Sequence, residues 1–483
     1  MQNVKELLCK FQNKAKDFLY TDAYILLVLA IVLIAWWCQN ATFGFVTLIL
    51  VSCFALSVAD DIMPLTVNIF AAVLMIYKNT LDEFASLWPT FIPLVLAIAW
   101  FVVRNVRGKK RFVMGKMFFP QIAVSFALLI GGVGVVEAQN YLDSLPICVA
   151  LGIGVLAVYL LYCNFTKQDS DINVNDYFAR VLTYIGTVIC IELIIAIVRA
   201  NVPFDRWSGA YWNFGWGNRN NVATYLVICA PMALYLSTKS KHPVVYYLIA
   251  AFEYVCLVMT LSRGGILFGV IAAVVGIVIS VIKADNWKKS LVSVGIVIVL
   301  LGVVAAIFRD WAGGLVNSLL DRVTEGDDVS SGRFDLYKEA WGLFKQYPFL
   351  GGGMGHVGTN AGMKNDMGLY WFHSTLFQIV GCMGIVGILA YGYYYATKIY
   401  LLIKKGKSTF ALFVLVIWIG FEGYSMIDTG TMTPFPNMML VMVTTYLLEN
   451  IELDKHDCHI DGISKSLYKQ TIYQREMQCA DVE

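Results

Sequence analysis

The stretch "HSTLFQIVGCMGIVGILAYGYYY", residues 373–395, carries no charged side chain after its histidine. A helix needs about 20 mostly apolar residues to cross a bilayer, and from Ser374 onward this run supplies them. His373 stands at its first turn. The chain has only five histidines, at positions 242, 356, 373, 456 and 459, so one at the mouth of an apolar run asks for a reason.

Working outward, similar runs recur along the whole chain. Fourteen can be counted, near 24–38, 43–59, 62–77, 87–103, 118–136, 145–163, 178–198, 222–237, 244–260, 264–282, 290–308, 374–402, 408–427 and 434–450. Of the 483 residues, 58% are hydrophobic and 14% charged, more apolar surface than a water-soluble domain needs. In hydrocarbon every backbone N–H and C=O must bond internally, which leaves helices or closed barrels. These runs do not alternate as barrel strands do. The expected fold is therefore all-α: a polytopic integral membrane bundle of about 14 transmembrane helices, one domain over residues 1–483. The first run lacks a small-residue cleavage site, so no cleaved signal peptide is expected.

Net charge is +2, which by itself indicates no class of partner; nothing points to nucleic acid. The distribution of charge is more informative. Lys5, Lys10, Lys14 and Lys16, then "RNVRGKKRFVMGK" (104–116), "STKSKH", "KADNWKK" and "KKGK" form basic segments, whereas the alternate loops carry little Lys or Arg. Basic loops stay cytoplasmic. This topology puts both termini and the tail 451–483 inside. It puts two long segments outside, 199–221 and 309–372. The eleven cysteines lie mostly in the runs, without C-x-x-C; they read as small buried hydrophobes, not as disulfides or metal ligands.

The second outer segment has internal order. "VSSGRFDLYKEAWGLFKQYP" (329–348) predicts a helix, with Ser330 or Ser331 as cap and Pro348 as stop. Its stripe of Phe334, Tyr337, Trp341 and Phe344 suits a helix lying on the membrane surface or over the bundle mouth, or one packed on neighbouring loops. "FLGGGMGHVGTNAG" follows. Its G-x-G-x-x-G at 353–358 comes after a helix and a proline, not a strand, so a dinucleotide site is rejected. The glycines are read as permitting a tight loop.

In "LVMTLSRGGILFGV" (257–270), Arg263 interrupts the apolar sequence. Arginine at a helix centre costs about 2.5–3.5 kcal/mol on insertion scales. The topology instead places it at the outer boundary between two spans, as a snorkelling anchor or an anion ligand. Arg263, Arg333 and His373 then share the outer face, each at a helix terminus. Guanidinium groups match phosphate oxygens, helix N-termini favour anions, and histidine exchanges a proton near neutral pH. The set suggests a lipid-linked phosphate and an acid–base step.

"SRGG" (262–265), "GRFDLYKEAWGLFKQYPFLGGGMG" (332–355) and "HSTLFQIVGCMGIVGILAYGYYY" (373–395) together resemble the O-antigen ligase / O-antigen polymerase superfamily. Met383-Gly384-Ile385-Val386-Gly387 fills the family's E/M-G-hydrophobic-hydrophobic-G step. "GNRNNVATYLVICAPMALYL" (217–236) resembles its N-P-N-x-x-A segment, with Arg219 or Asn220 where proline is usual. The resemblance spans about 210–400, with the family core at 252–400. It implies a metal-independent, inverting glycosyltransferase without cofactor in the bacterial cytoplasmic membrane. Such an enzyme takes a glycan from undecaprenyl pyrophosphate and passes it, on the outer face, to an acceptor glycan or glycolipid. Arg263 and Arg333 would hold the donor pyrophosphate. His373 would act at the acceptor as general base or orienting group.

Arg206, Arg219, Asn221 and His356 are further candidates for substrate binding. Trp207, Trp212 and Trp216 suit an interfacial belt or sugar stacking. Glu192, Glu253, Glu422 and Asp428, in or near spans, are functional candidates or ion-pair partners. Arg206 and Gly217 are spaced R-x10-G, as in some O-antigen polymerases, but no second copy begins at Arg333. That absence leans the reading toward a ligase, transferring to lipid A-core or another surface glycan. The alternatives are an O-antigen or capsular polysaccharide polymerase on the same donor, and a transporter of the lipid-linked glycan. No internal repeat of the transporter kind is found.

Overall fold

The computed structural model describes residues 2–77, 87–106, 112–135, 141–166, 173–200, 214–324, 332–358 and 369–451. Among these the elements are all helical, with no β-strand. In chain order they are α1 (Gln2–Leu19), α2 (Asp22–Trp37), α3 (Ala41–Val58), α4 (Thr66–Ala71, flanked by 3-10 turns), α5 (Trp88–Val106) and α6 (Phe118–Ile130). Next come α7 (Tyr141–Phe165), α8 (Val174–Ala200), α9 (Arg219–Lys239), α10 (Pro243–Met259), α11 (Arg263–Lys283) and α12 (Trp287–Ile307). The last five are α13 (Arg309–Thr324), α14 (Arg333–Gln346), α15 (Thr375–Lys405), α16 (Thr409–Ser425) and α17 (Met439–Asn450).

Each of the fourteen apolar runs contains helix among its described residues, but the count of fourteen crossings is not confirmed. Among the described residues eight helices are long and apolar enough to span, or nine if α1 and α2, bent by 66°, form one. The others fall short. Met63–Met75, Phe118–Ile130, Pro243–Met259 and Thr409–Ser425 are shorter apolar helices. Two further expectations change. Residues 309–324 are not loop but α13, which follows α12 directly. The cap of α14 is Gly332, in the left-handed region at φ +76°; Ser330 and Ser331 lie outside the described residues.

Burial sorts the helices. Of the apolar window of α9, 94% is buried, against 17% for α12. A lipid-facing helix must be apolar all round, whereas a central one can carry Asn, Thr, Ser and small residues at close contacts. The sequence of α9, "RNNVATYLVICAPMALYLSTK", reads as the second kind. It packs against α8, α10, α11 and α16.

The outer helix α14 lies on α15. Its buried face is Leu336, Ala340 and Leu343, and Tyr337 stacks on Phe377 with ring centroids 4.3 Å apart. Phe334 and Trp341 stay exposed. The aromatic stripe is therefore split between packing and surface.

The loop after α14 explains the glycine pattern. α15 breaks at Gly384, φ +59° and ψ −149°. The backbone groups freed there bond to the loop. Gly352 and Gly353 N–H donate to the carbonyls of Gly381 and Cys382 at 2.8 and 2.9 Å, and Ile385 N–H donates to Pro348 O at 2.8 Å. An irregular backbone buried in protein is thereby satisfied. A Cβ at Gly384 would lie 2.5 Å from Pro348 O, and the left-handed conformation adds about 1–3 kcal/mol of strain for a non-glycine residue. Gly384→Ala should lower the melting midpoint and the yield of folded protein. Gly392→Ala, further along the same helix and with nothing within 4 Å of its Cβ, should not. Equal midpoints for the two variants would refute this account of the junction.

Candidate functional site

Four helix N-termini meet at one end of the bundle. Arg219 and Asn220 open α9, Arg263 opens α11, Arg333 opens α14, and His373 sits two residues before α15. Asp428, in the short segment after α16, joins them. The Asn220 amide donates to Asp428 Oδ2 at 3.0 Å, and Arg333 Nη2 lies 4.0 Å from the same oxygen. The Tyr424 hydroxyl donates to Oδ2 at 3.4 Å. Asp428 Oδ1 accepts from the Thr429 N–H at 2.7 Å and faces His373 Nδ1 at 3.3 Å. The Asp428 carbonyl accepts from Thr375 N–H at 3.2 Å.

Ser262 extends this network. Its hydroxyl donates to Asn220 Oδ1 at 2.9 Å and lies 2.9 Å from the Tyr424 hydroxyl. It therefore does not cap α11 with its side chain. Gly264 allows the approach, since a Cβ there would sit 2.7 Å from the Tyr424 ring. Arg219 is half-buried and close enough to Arg263, Arg333 and Asp428 to feel their charges. Arg333, His373, Asn220 and Tyr424 thus meet on Asp428, Arg219 is near enough to feel its charge, and Arg263 lies beside Arg219. Each N-terminus carries roughly half a positive charge, so the cluster is strongly electropositive and suited to a multiply charged anion.

Burial alone would raise the Asp428 carboxyl. The hydrogen bond and charge of His373, the Thr429 N–H and Arg333 outweigh it and hold the group below the usual carboxylate range. The sign follows. A depressed carboxyl adds stability that is present above its ordinary value and is lost only as pH falls through the lowered one. Asp428 is ionised throughout the physiological range. An ionised carboxylate only accepts hydrogen bonds, so the Nδ1 of a neutral His373 carries the proton in this pair and Nε2 is left basic. The backbone of His373 has φ +49°, an unusual value for a side-chain-bearing residue, and its carbonyl accepts from the Tyr337 hydroxyl at 3.2 Å.

The other candidates fall elsewhere. His356 is buried, with Nε2 3.3 Å from Glu339 Oε1, while Tyr370 donates to Glu339 Oε2 at 2.9 Å. Its ring stacks on Phe372. Asn221 lies in the first turn of α9, where its backbone N–H donates to the side chain of the N-cap Asn218; its neighbour Asn220 is the side chain bonded into the cluster. Trp216 donates to Glu192 at 2.9 Å and packs on Tyr225. Glu422 pairs with Lys398, and Glu253 faces Thr187. Arg206, Trp207 and Trp212 lie outside the described residues. Among the described residues no group of three or more His, Cys, Asp or Glu could hold a metal ion, and the eight described cysteines are free thiols.

The geometry is that of a polytopic helical membrane protein with an arginine- and histidine-containing cluster at one end of its bundle. Residues 245–392 match the family described as O-antigen ligase, which supports the resemblance to the O-antigen ligase superfamily. A comparison with curated proteins returns no match. The matched segment contains Arg263, Arg333 and His373; Arg219, Asn220 and Asp428 flank it. The match supports a membrane glycosyltransferase of the O-antigen ligase type and implies lipid-linked and acceptor glycans as substrate classes. Together with the apolar helices, it points to the bacterial inner membrane.

Proposed function

We propose that the protein transfers a glycan from a polyprenyl pyrophosphate, undecaprenyl pyrophosphate in bacteria, to an acceptor hydroxyl at the outer face of the cytoplasmic membrane. The observation that carries this reading is the gathering, at one end of the bundle, of Arg333 and His373 on Asp428, with Arg219 within reach of their charges and Arg263 beside Arg219. A pyrophosphate leaving group gains negative charge as its bond to the sugar breaks, and fixed cations aimed at that charge stabilise the transition state. Arg263 and Arg333 bind the pyrophosphate, with Arg219 beside them. His373 Nε2 takes the proton of the acceptor hydroxyl as its oxygen attacks the anomeric carbon. The glycosidic bond forms, the carbon–oxygen bond to pyrophosphate breaks, and attack opposite the leaving group inverts the anomeric centre. Asp428 positions His373 and fixes its tautomer, as the third group does in other base-assisted sites. The guanidinium groups supply the charge that a metal supplies elsewhere, so no metal is invoked.

The location at helix ends fits such a donor. Its lipid stays in the bilayer, its sugar stays in water, and the scissile bond lies between. The basic segments at the far ends of these helices support an outer site by the positive-inside rule, with both termini in the cytoplasm.

The acceptor reading is ligase-type. The glycan profile of a deletion strain, separated by chain length and by lipid carrier, tests it. Full-length chains stranded on the polyprenyl carrier are expected. Single repeat units, on carrier or acceptor, would instead identify a polymerase, and an unchanged profile would refute both.

A further inference from the structure

The helices that carry the site have a second charged end. α9 and α11 begin at Arg219 and Arg263 and finish at Lys239 and Lys283, about 30 Å away at 1.5 Å per residue. There the α9–α10 and α11–α12 turns line a half-open cavity of about 190 Å³. Its lining includes Lys239, Lys241, Lys289, Ser240, Ser290 and Asn286, with Asp285 as the acid.

The cavity is built, not a chance gap between surface chains. Asp285 N–H donates to Thr238 O at 3.1 Å, tying the two turns together. The Lys289 ammonium donates to the Lys241 carbonyl across the same gap. Lys239 is 5% exposed and bonded to the fully buried Asp176 at 3.0 Å, which fixes its charge at the cavity wall. α12 starts here, with Asn286 as its N-cap, and adds the positive end of a 21-residue helix. An ammonium has three donors, so the Lys289 bond to a carbonyl leaves it able to serve an anion. With Lys239 paired to Asp176, Lys241 and Lys289 against the one lining acid, Asp285, leave the cavity with an excess of positive charge. The volume lies below the roughly 300–1,000 Å³ of pockets that enclose a drug-sized molecule and suits a single headgroup.

The surroundings indicate where that headgroup comes from. Ile282, Trp287 and Leu291, beside the cavity, are 70%, 54% and 52% exposed. Exposed aliphatic side chains accept acyl chains, and tryptophan settles at headgroup depth. Basic pockets between transmembrane helices bind anionic lipid headgroups.

We propose that this cavity binds a phosphate-bearing anion, supplied by the headgroup of an anionic phospholipid, at the bilayer face opposite the arginine–histidine cluster. Its assignment to the inner leaflet rests on the proposed outward placing of that cluster. The binding itself does not, so the two fail separately.

The test uses the full chain in detergent, with the melting midpoint followed against short-chain phosphatidylglycerol, phosphatidylcholine and inorganic phosphate. Phosphatidylglycerol should give a saturable rise that phosphatidylcholine does not. In the double variant Lys241→Gln/Lys289→Gln its apparent affinity should fall about tenfold or more, as expected from losing charge-assisted contacts. Both lysines are exposed, so the fold should tolerate the change. Lys404→Gln/Lys407→Gln, of equal charge at the same end of the bundle, should bind as the unaltered protein does. A lysine-dependent rise with inorganic phosphate as well would mean that the free anion suffices; a rise with phosphatidylglycerol alone would mean that the acyl chains are needed. Equal responses to the two lipids, or undiminished affinity in the Lys241/Lys289 variant, would overturn the proposal.

Discussion

Replacing His373 with alanine is expected to lower glycan transfer about 10²–10⁴-fold, the usual contribution of a positioned general base, while donor affinity stays near that of the unaltered protein. The separation follows from the contacts. His373 touches the cluster through Asp428 Oδ1 at 3.3 Å. Asp428 keeps its bonds to Asn220, Tyr424 and Thr429 when the imidazole is gone. The arginines therefore keep their places, and the protein should still fold and hold a pyrophosphate. Single-turnover transfer from a polyprenyl-pyrophosphate glycan, measured beside donor binding, reads both quantities. His373→Gln sharpens the result. Glutamine can donate a hydrogen bond to Asp428 but cannot accept a proton at neutral pH. If His373 is the base, glutamine should be as impaired as alanine. If it only orients the acceptor, glutamine should recover much of the rate. Undiminished turnover in His373→Ala would end the catalytic assignment.

The helices were readable from the sequence because lipid leaves the backbone no alternative, and an apolar run of span length states its own secondary structure. The number of crossings was not readable. A run such as 62–77 counts as apolar whether it forms one straight helix or, as here, a short helix between 3-10 turns. The amphipathic α1 was missed for the opposite reason, since its polar face hides it from a search for apolar runs.

At the site, Arg263, Arg333 and His373 were visible because a charge beside an apolar run marks a helix end. Asp428 was named only as one of four acids. It meets His373 across 55 positions and Asn220 across 208, and nothing local in "SMIDTGTM" marks those partners. Asn220 was overlooked as a site residue in favour of Asn221 because adjacent residues on a first turn differ only in direction, which the fold decides. The glycine motifs were visible as two separate patterns. Gly352 and Gly353 pair with Gly381 and Cys382 through backbone atoms alone, and such pairing leaves no side-chain trace from which a reader could join them.

Arg263→Ala and Arg333→Ala should behave unlike the histidine variant and impair both binding and turnover. One charge-assisted hydrogen bond to phosphate is worth about 1.5–3 kcal/mol, so donor affinity should fall roughly 10- to 150-fold for each. Loss of a preorganised donor to the developing charge should lower the rate by about 10²–10³. Lysine should rescue neither fully, because a point charge cannot reproduce a planar, bidentate grip on two phosphate oxygens. Binding of a polyprenyl pyrophosphate without its glycan isolates this contact from sugar recognition. If both alanine variants bind it as the unaltered protein does, the arginines are not the donor clamp, and the anion that the four helix N-termini invite must be sought elsewhere in the reaction.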